Sequence, residues 1–160
     1  NAPDPFARKV ILDRGAQQGV EPGLAVVDAQ GVIGQITRVH PVQSEVTLLT
    51  DRNQSIPVSV VRNGVRGVLY GVGRGMLEMR HVLADVDIRV GDQLVTSGLD
   101  GVFVPGLPVA TVTSVNRDTD AFARIECEPL AAIERSVQVL VVGRAAYPPP
   151  PPPADEQGGR

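Results

Sequence analysis

The stretch Gly91–Val115, GDQLVTSGLDGVFVPGLPVATVTSV, constrains the fold most, because it combines two-residue alternation with closely spaced glycines and echoes an earlier segment. That segment is Val20–Val39, VEPGLAVVDAQGVIGQITRV, and a shift of 76 residues sets Ile33 on Val109, Gly34 on Ala110, Ile36 on Val112 and Val39 on Val115. Each copy reads as strand, turn, strand, ending in alternate apolar side chains that can face a core. Using such a unit twice implies an all-β chain built from two small barrel-like lobes.

Composition leaves little room for anything else. The 160 residues contain 17 Gly and 14 Pro, which cut the chain into short pieces, and the hydrophobes are mostly Val, Ile and Leu. No long helical window survives. Strands are predicted near 8–12, 24–28, 32–39, 45–50, 56–61, 65–70, 76–81, 93–97, 108–115, 121–127 and 136–142, with a helical turn only around Leu130–Arg135. Turns are expected at Asp28–Gly31, Arg62–Gly64 and Gly71–Gly75, and the Asn63-Gly64 pair between Val-rich runs is the strongest hairpin signal.

A net charge of −3 argues against a nucleic-acid surface, which needs clustered cations to displace counterions. The chain carries one lysine, Lys9, and its arginines are spread along strand edges and turns, so a solvated surface of mixed charge is expected. The single Cys127 cannot form an internal disulfide. Alternation through Phe122–Cys127 groups it with Ala123 and Ile125, as a small core residue with no histidine nearby to activate it.

Two small barrels are also the architecture of chymotrypsin-like proteases, and His40, Asp51 and Ser97 follow one another in the chain. The surroundings do not fit hydrolysis: His40 precedes Pro41 at a strand end, Asp51 opens a turn, and Thr96-Ser97-Gly98 lacks a Gly-Asp-Ser-Gly context. A chymotrypsin-like arrangement without catalytic residues is therefore expected, with a serine hydrolase as the alternative function and another binding β module as a further one. His40 and His81 have no partner at metal-ligand spacing. The glycines of Gly71–Gly75 join two strands and offer no helix N-terminus to an anion. Neither a metal nor a cofactor is expected.

What remains is surface for partners. The loop Asp100–Pro105 is apolar and glycine-bounded, so Phe103 and Val104 are candidate partner contacts, set against burial as the commoner fate of such side chains. Beyond Tyr147 the six prolines Pro148–Pro153 exclude a sheet, and residues 147–160 are expected to form a disordered, Pro-rich tail.

In combination and order, several motifs resemble one family. They are Asp13-Arg14-Gly15 with Gly19-Val20 and Gly23, Gly31-Val32-Ile33-Gly34, Leu48-Leu49-Thr50-Asp51 and Val65-Arg66-Gly67. They continue with Val90-Gly91-Asp92 through Thr96-Ser97-Gly98, Gly101-Val102-Phe103, and Pro105 to Val109. Over roughly residues 10–142 they resemble the periplasmic domain of the rod shape-determining MreC proteins. That resemblance implies a non-enzymatic scaffold of the cell-elongation machinery, anchored in the inner membrane and working in the periplasm. Its implied partners are copies of itself, as a dimer or filament, the elongation-specific penicillin-binding protein, and companion inner-membrane shape proteins. The expected organisation is a linker over 1–7 that would follow a coiled coil outside this sequence, and a double-barrel region over 8–146. That region divides at about 8–90 and 91–146, and strands can exchange between the lobes. Contact with a membrane would come only through a helix preceding the present chain.

Overall fold

A computed structural model describes residues 9–117, 121–131 and 140–142, and the structural statements below concern these. Eleven strands lie among them: β1 (Lys9–Leu12), β2 (Ala25–Val27), β3 (Val32–Val39), β4 (Ser44–Leu48), β5 (Ser55–Val60), β6 (Arg66–Gly71), β7 (Leu77–Leu83), β8 (Gln93–Thr96), β9 (Pro108–Asn116), β10 (Phe122–Pro129) and β11 (Leu140–Val142). The only helical element among the described residues is a short 3-10 turn at Ala16–Gln18. The helical turn expected at Leu130–Arg135 falls largely outside the described residues, as does the tail.

The strands form two units. One is an open five-stranded sheet in the order β1-β4-β3-β2-β11, and the other is a closed barrel in the order β10-β7-β6-β5-β8-β9. Within each sheet the described pairings are antiparallel. The expected division near residue 90 falls inside the barrel, between β7 and β8. The change of sheet comes between β4 and β5, where Leu49 already belongs to the barrel's core, and β11 returns from the far end of the chain to pair with β2.

Alternation in the sequence explains the barrel. β5 buries Ile56, Val58 and Val60 while Ser55, Pro57 and Ser59 face outward, and β10 buries Ala123, Ile125 and Cys127 between exposed Phe122, Arg124, Glu126 and Glu128. The inward set meets Leu69, Leu77, Met79, Leu94 and Val112 in one core. Each large aliphatic side chain so buried contributes about 1.5–3 kcal/mol relative to exposure. A smaller core, with Val26, Ile33, Ile36, Val46 and Leu48, lies under the open sheet.

The sequence echo is a true structural repeat. β3 is flanked by β2 and β4 as β9 is flanked by β8 and β10. The ladders skip a residue at Ile33 and at Val109 on one side, and at Thr37 and at Thr113 on the other. Each pair of bulges stands at the 76-residue shift read from the sequence. Gly23 and Gly91 open the two copies with φ of 92° and 94°, a left-handed conformation that glycine adopts without a Cβ clash. Their N–H groups donate to Ile36 O and Val112 O at 2.7 and 2.8 Å. The copies differ in the turn between strands: Asp28–Gly31 is tight, whereas Ser97–Leu107 makes a long excursion.

Candidate interaction surfaces

The residues considered for hydrolysis are not brought together. His40 Nε2 lies 3.4 Å from Glu45 Oε2 at the end of the open sheet. Asp51 Oδ1 accepts from Asn53 N at 2.7 Å, and Ser97 Oγ accepts from Leu99 N at 3.3 Å beside the barrel. None of the three hydrogen-bonds to another, so no base stands ready to take a proton from Ser97. Among the described residues, no group of His, Cys, Asp or Glu is placed to hold a metal ion. Cys127 is fully buried, and that burial, with the Glu126 carboxylate adding to it, pushes the thiol up to about 12. It is inert packing, as alternation indicated.

The excursion after β8 is a built structure. Buried Thr96 donates its hydroxyl to Val104 O at 2.6 Å and accepts from Leu107 N at 2.8 Å, so one side chain closes the loop's base. Asp100 Oδ1 accepts from Val102 N at 3.0 Å and from Phe103 N at 3.3 Å. Phe103, one of the two candidate partner contacts, is turned inward, 3% exposed, as part of the barrel core. Val104 is half-buried. A partner meeting this loop as it stands would meet Leu99, which is exposed at its turn.

A charged corner fixes the β5–β6 hairpin against the β7–β8 connection. Arg62 reaches Asp92 with Nε and Nη2, and Asp87 with Nη1 and Nη2, at 2.8–3.1 Å. Arg89 Nε donates to Asp87 Oδ1 at 3.1 Å, and Asn63 Nδ2 to Asp87 O at 2.8 Å. The Arg62 guanidinium holds Asp87 down to about 2 and Asp92 below the usual carboxylate range, while both carboxylates raise Arg62. Arg117 braces the same connection through Ala84 O and Ile88 O. These contacts hold shape and leave no reactive group idle.

Two further features face outward. Among the described residues, strand β1 borders the open sheet with only β4 beside it, and its Val10 and Ile11 are exposed. A shallow polar groove of about 250 Å³ runs over β3, β4 and the following turn, lined by Thr37, Arg38, Glu45, Thr47, Asp51, Asn53 and Gln54. The sequence pointed to the loop of Phe103 and missed both. Sheet edges are set by which strands find partners across the fold, and no local signal carries that.

Fold and surface together define a β-barrel module. Residues 1–143 match the family described as "Rod shape-determining protein MreC, barrel core". The chain is 40% identical over 141 residues to the cell shape-determining protein MreC of Escherichia coli K12, and 45% identical over 141 residues to that of Haemophilus influenzae. Both alignments take in 87% of this chain but only 38% and 40% of the relatives, so the chain spans about two fifths of their length. The crystal structure of MreC from Pseudomonas aeruginosa superposes with a TM-score of 0.85 at 44% identity, covering 89% of this chain and 93% of that one. The chain belongs to the MreC family, a family of shape-determining proteins and not of enzymes.

Proposed function

We propose that this chain is the periplasmic binding region of a membrane-anchored scaffold that associates with itself and holds an elongation-specific penicillin-binding protein to control cell shape. The observation that carries the reading is family membership together with a relative of the same fold, MreC from Helicobacter pylori, which has been solved in complex with the penicillin-binding protein PBP2. That relative is 22% identical, with a TM-score of 0.68. Another structure of this fold is described as the major periplasmic domain of a cell shape-determining filament, which supports self-association. Residues 8–146 would be the periplasmic double-barrel region, 1–7 its link to a preceding segment, and 147–160 a tail. Companion inner-membrane proteins would join the same assembly. Binding would bias the synthase toward one conformation, a shift of population without chemistry by the scaffold itself.

Sedimentation of the chain across a concentration series, alone and with the transpeptidase's periplasmic domain, tests this reading. Polymers and a mixed complex are expected. A monomer that forms no complex at high micromolar concentration overturns it.

A further inference from the structure

Among the described residues, the exposed large apolar ones are Val10, Ile11, Val42, Val61, Leu83, Val90, Leu99 and Phe122. Scattered singly on a surface, such residues need no explanation. Val42, Val61, Val90 and Leu99 lie in turns or loops, and Val10 and Ile11 on the edge strand. Leu83 and Phe122 differ, because they are direct cross-strand partners within the closed barrel, where β7 ends and β10 begins, 58% and 50% exposed.

They begin an ordered pattern along the outer face of the β7–β10 ladder. Next come Arg80 and His81 on β7 opposite Arg124 on β10, where the register shifts between Ala123 and Ile125. The irregularity sets His81 at a φ of 62°, unusual for a residue with a side chain, and adds a residue to the outward set. Beyond them Glu78 pairs directly with Glu126. The face is thus banded as apolar, then basic, then acidic. Like charges set directly opposite cost stability, and the contact of Arg80 Nε with Glu78 Oε2 at 3.7 Å, between partly exposed groups, offsets little of it. Arg80 also lies over the Tyr70 ring, 4.6 Å from its centroid, which fixes the guanidinium at the barrel wall.

We infer that this banded face is a docking surface for a different polypeptide, one that presents an apolar side chain beside carboxylates. The barrel is closed, so recognition here uses side chains and not strand addition. A second copy across a two-fold axis fits poorly. Basic bands set on acidic ones leave Leu83 and Phe122 uncovered, and apolar pairs set on each other leave the basic bands beyond the overlap. Superposed centres place arginine against arginine. An unlike partner with an apolar anchor and flanking Asp or Glu satisfies the first two bands at once. This rests on the reading of the chain as a scaffold for the penicillin-binding protein, whose periplasmic domain is the occupant assigned here.

The test is titration of that domain, from the same organism, against three forms of the chain. The Leu83→Ser/Phe122→Ser double variant is expected to bind at least about tenfold more weakly, as for loss of an apolar anchor. Arg124→Glu is expected to bind several-fold more weakly and with less dependence on salt, while Leu99→Ser binds as the unaltered chain does. Thermal melts establish that each variant is folded, and Arg124→Glu decides if the double variant is not. Binding by the folded variants within about twofold of the unaltered chain overturns the assigned face and leaves the scaffold reading standing. No binding by the unaltered chain overturns both. Loss of binding to phosphatidylglycerol vesicles in Phe122→Ser, with transpeptidase binding intact, turns the face into a lipid surface and overturns the assignment.

Discussion

Arg62 grips Asp92 with two parallel hydrogen bonds, Nε to Oδ1 at 2.8 Å and Nη2 to Oδ2 at 2.9 Å, and so ties a hairpin turn to a loop 30 residues further along. Such bidentate pairs carry geometric specificity as well as energy. Asp92 also accepts from Arg89 N at 2.8 Å, and its side chain is nearly buried, so it works as the anchor of the corner.

Acid should loosen this corner in a defined window. Asp87 is held at about 2 and Asp92 is depressed, both chiefly by Arg62. A carboxyl depressed on folding contributes stability above its unfolded value, near 4, and loses it as pH falls through the folded value. The urea midpoint of the chain is therefore expected to drop between pH 4 and about 2. Asp92→Asn should start from a lower midpoint at neutral pH and lose less on acidification. Parallel pH profiles for the two proteins would contradict this account.

Gly34 and Ala110 occupy equivalent places in the repeat, yet they are not interchangeable. A Cβ on Gly34 would lie 2.2 Å from Thr47 O, a backbone atom that cannot swing away. Gly34→Ala is expected to destabilise the chain by about 1–3 kcal/mol, the usual range for an overpacked core. Chemical denaturation reads the change directly.

Removal of Phe103 should act on folding. Its ring belongs to the barrel core, so Phe103→Ala is expected to cost about 3–5 kcal/mol. Leu99→Ser in the same excursion should cost under about 0.5 kcal/mol, because the side chain is exposed. Equal melting temperatures for the two variants would show that the ring is not structural.

Thr96 offers a sharper polar test. Its hydroxyl serves both Val104 O and Leu107 N in a buried position, so Thr96→Val keeps the shape and leaves two backbone groups without their partner. A loss of about 1–3 kcal/mol is expected, with faster amide exchange at Leu107.

The sequence already carried the class of fold, the positions of the strands and the repeat. Period-two alternation decides which side chains share a face, and glycine at positive φ decides where the chain turns; both are local, so a string of residues displays them. Hence β3 occupies the predicted 32–39, Asn63-Gly64 joins β5 to β6, and Cys127 lies in the core. The motif run from Asp13 to Val109 likewise identified the family, because order and spacing survive in the chain itself.

Tertiary structure alone decided which strands closed into a barrel and which stayed open, because both sheets are written in the same alternating pattern. It turned Phe103 inward, since a ring beside glycines reads the same whether the loop folds over a core or away from it. It also gathered Arg80, His81 and Arg124 behind Leu83 and Phe122. Those two groups belong to strands that follow one another in the barrel wall but not in the chain, and their alignment depends on the register and its irregularity near Arg124. Pairing across a sheet is fixed by the packing of the whole core, and for that reason no window of sequence shows the surface it makes.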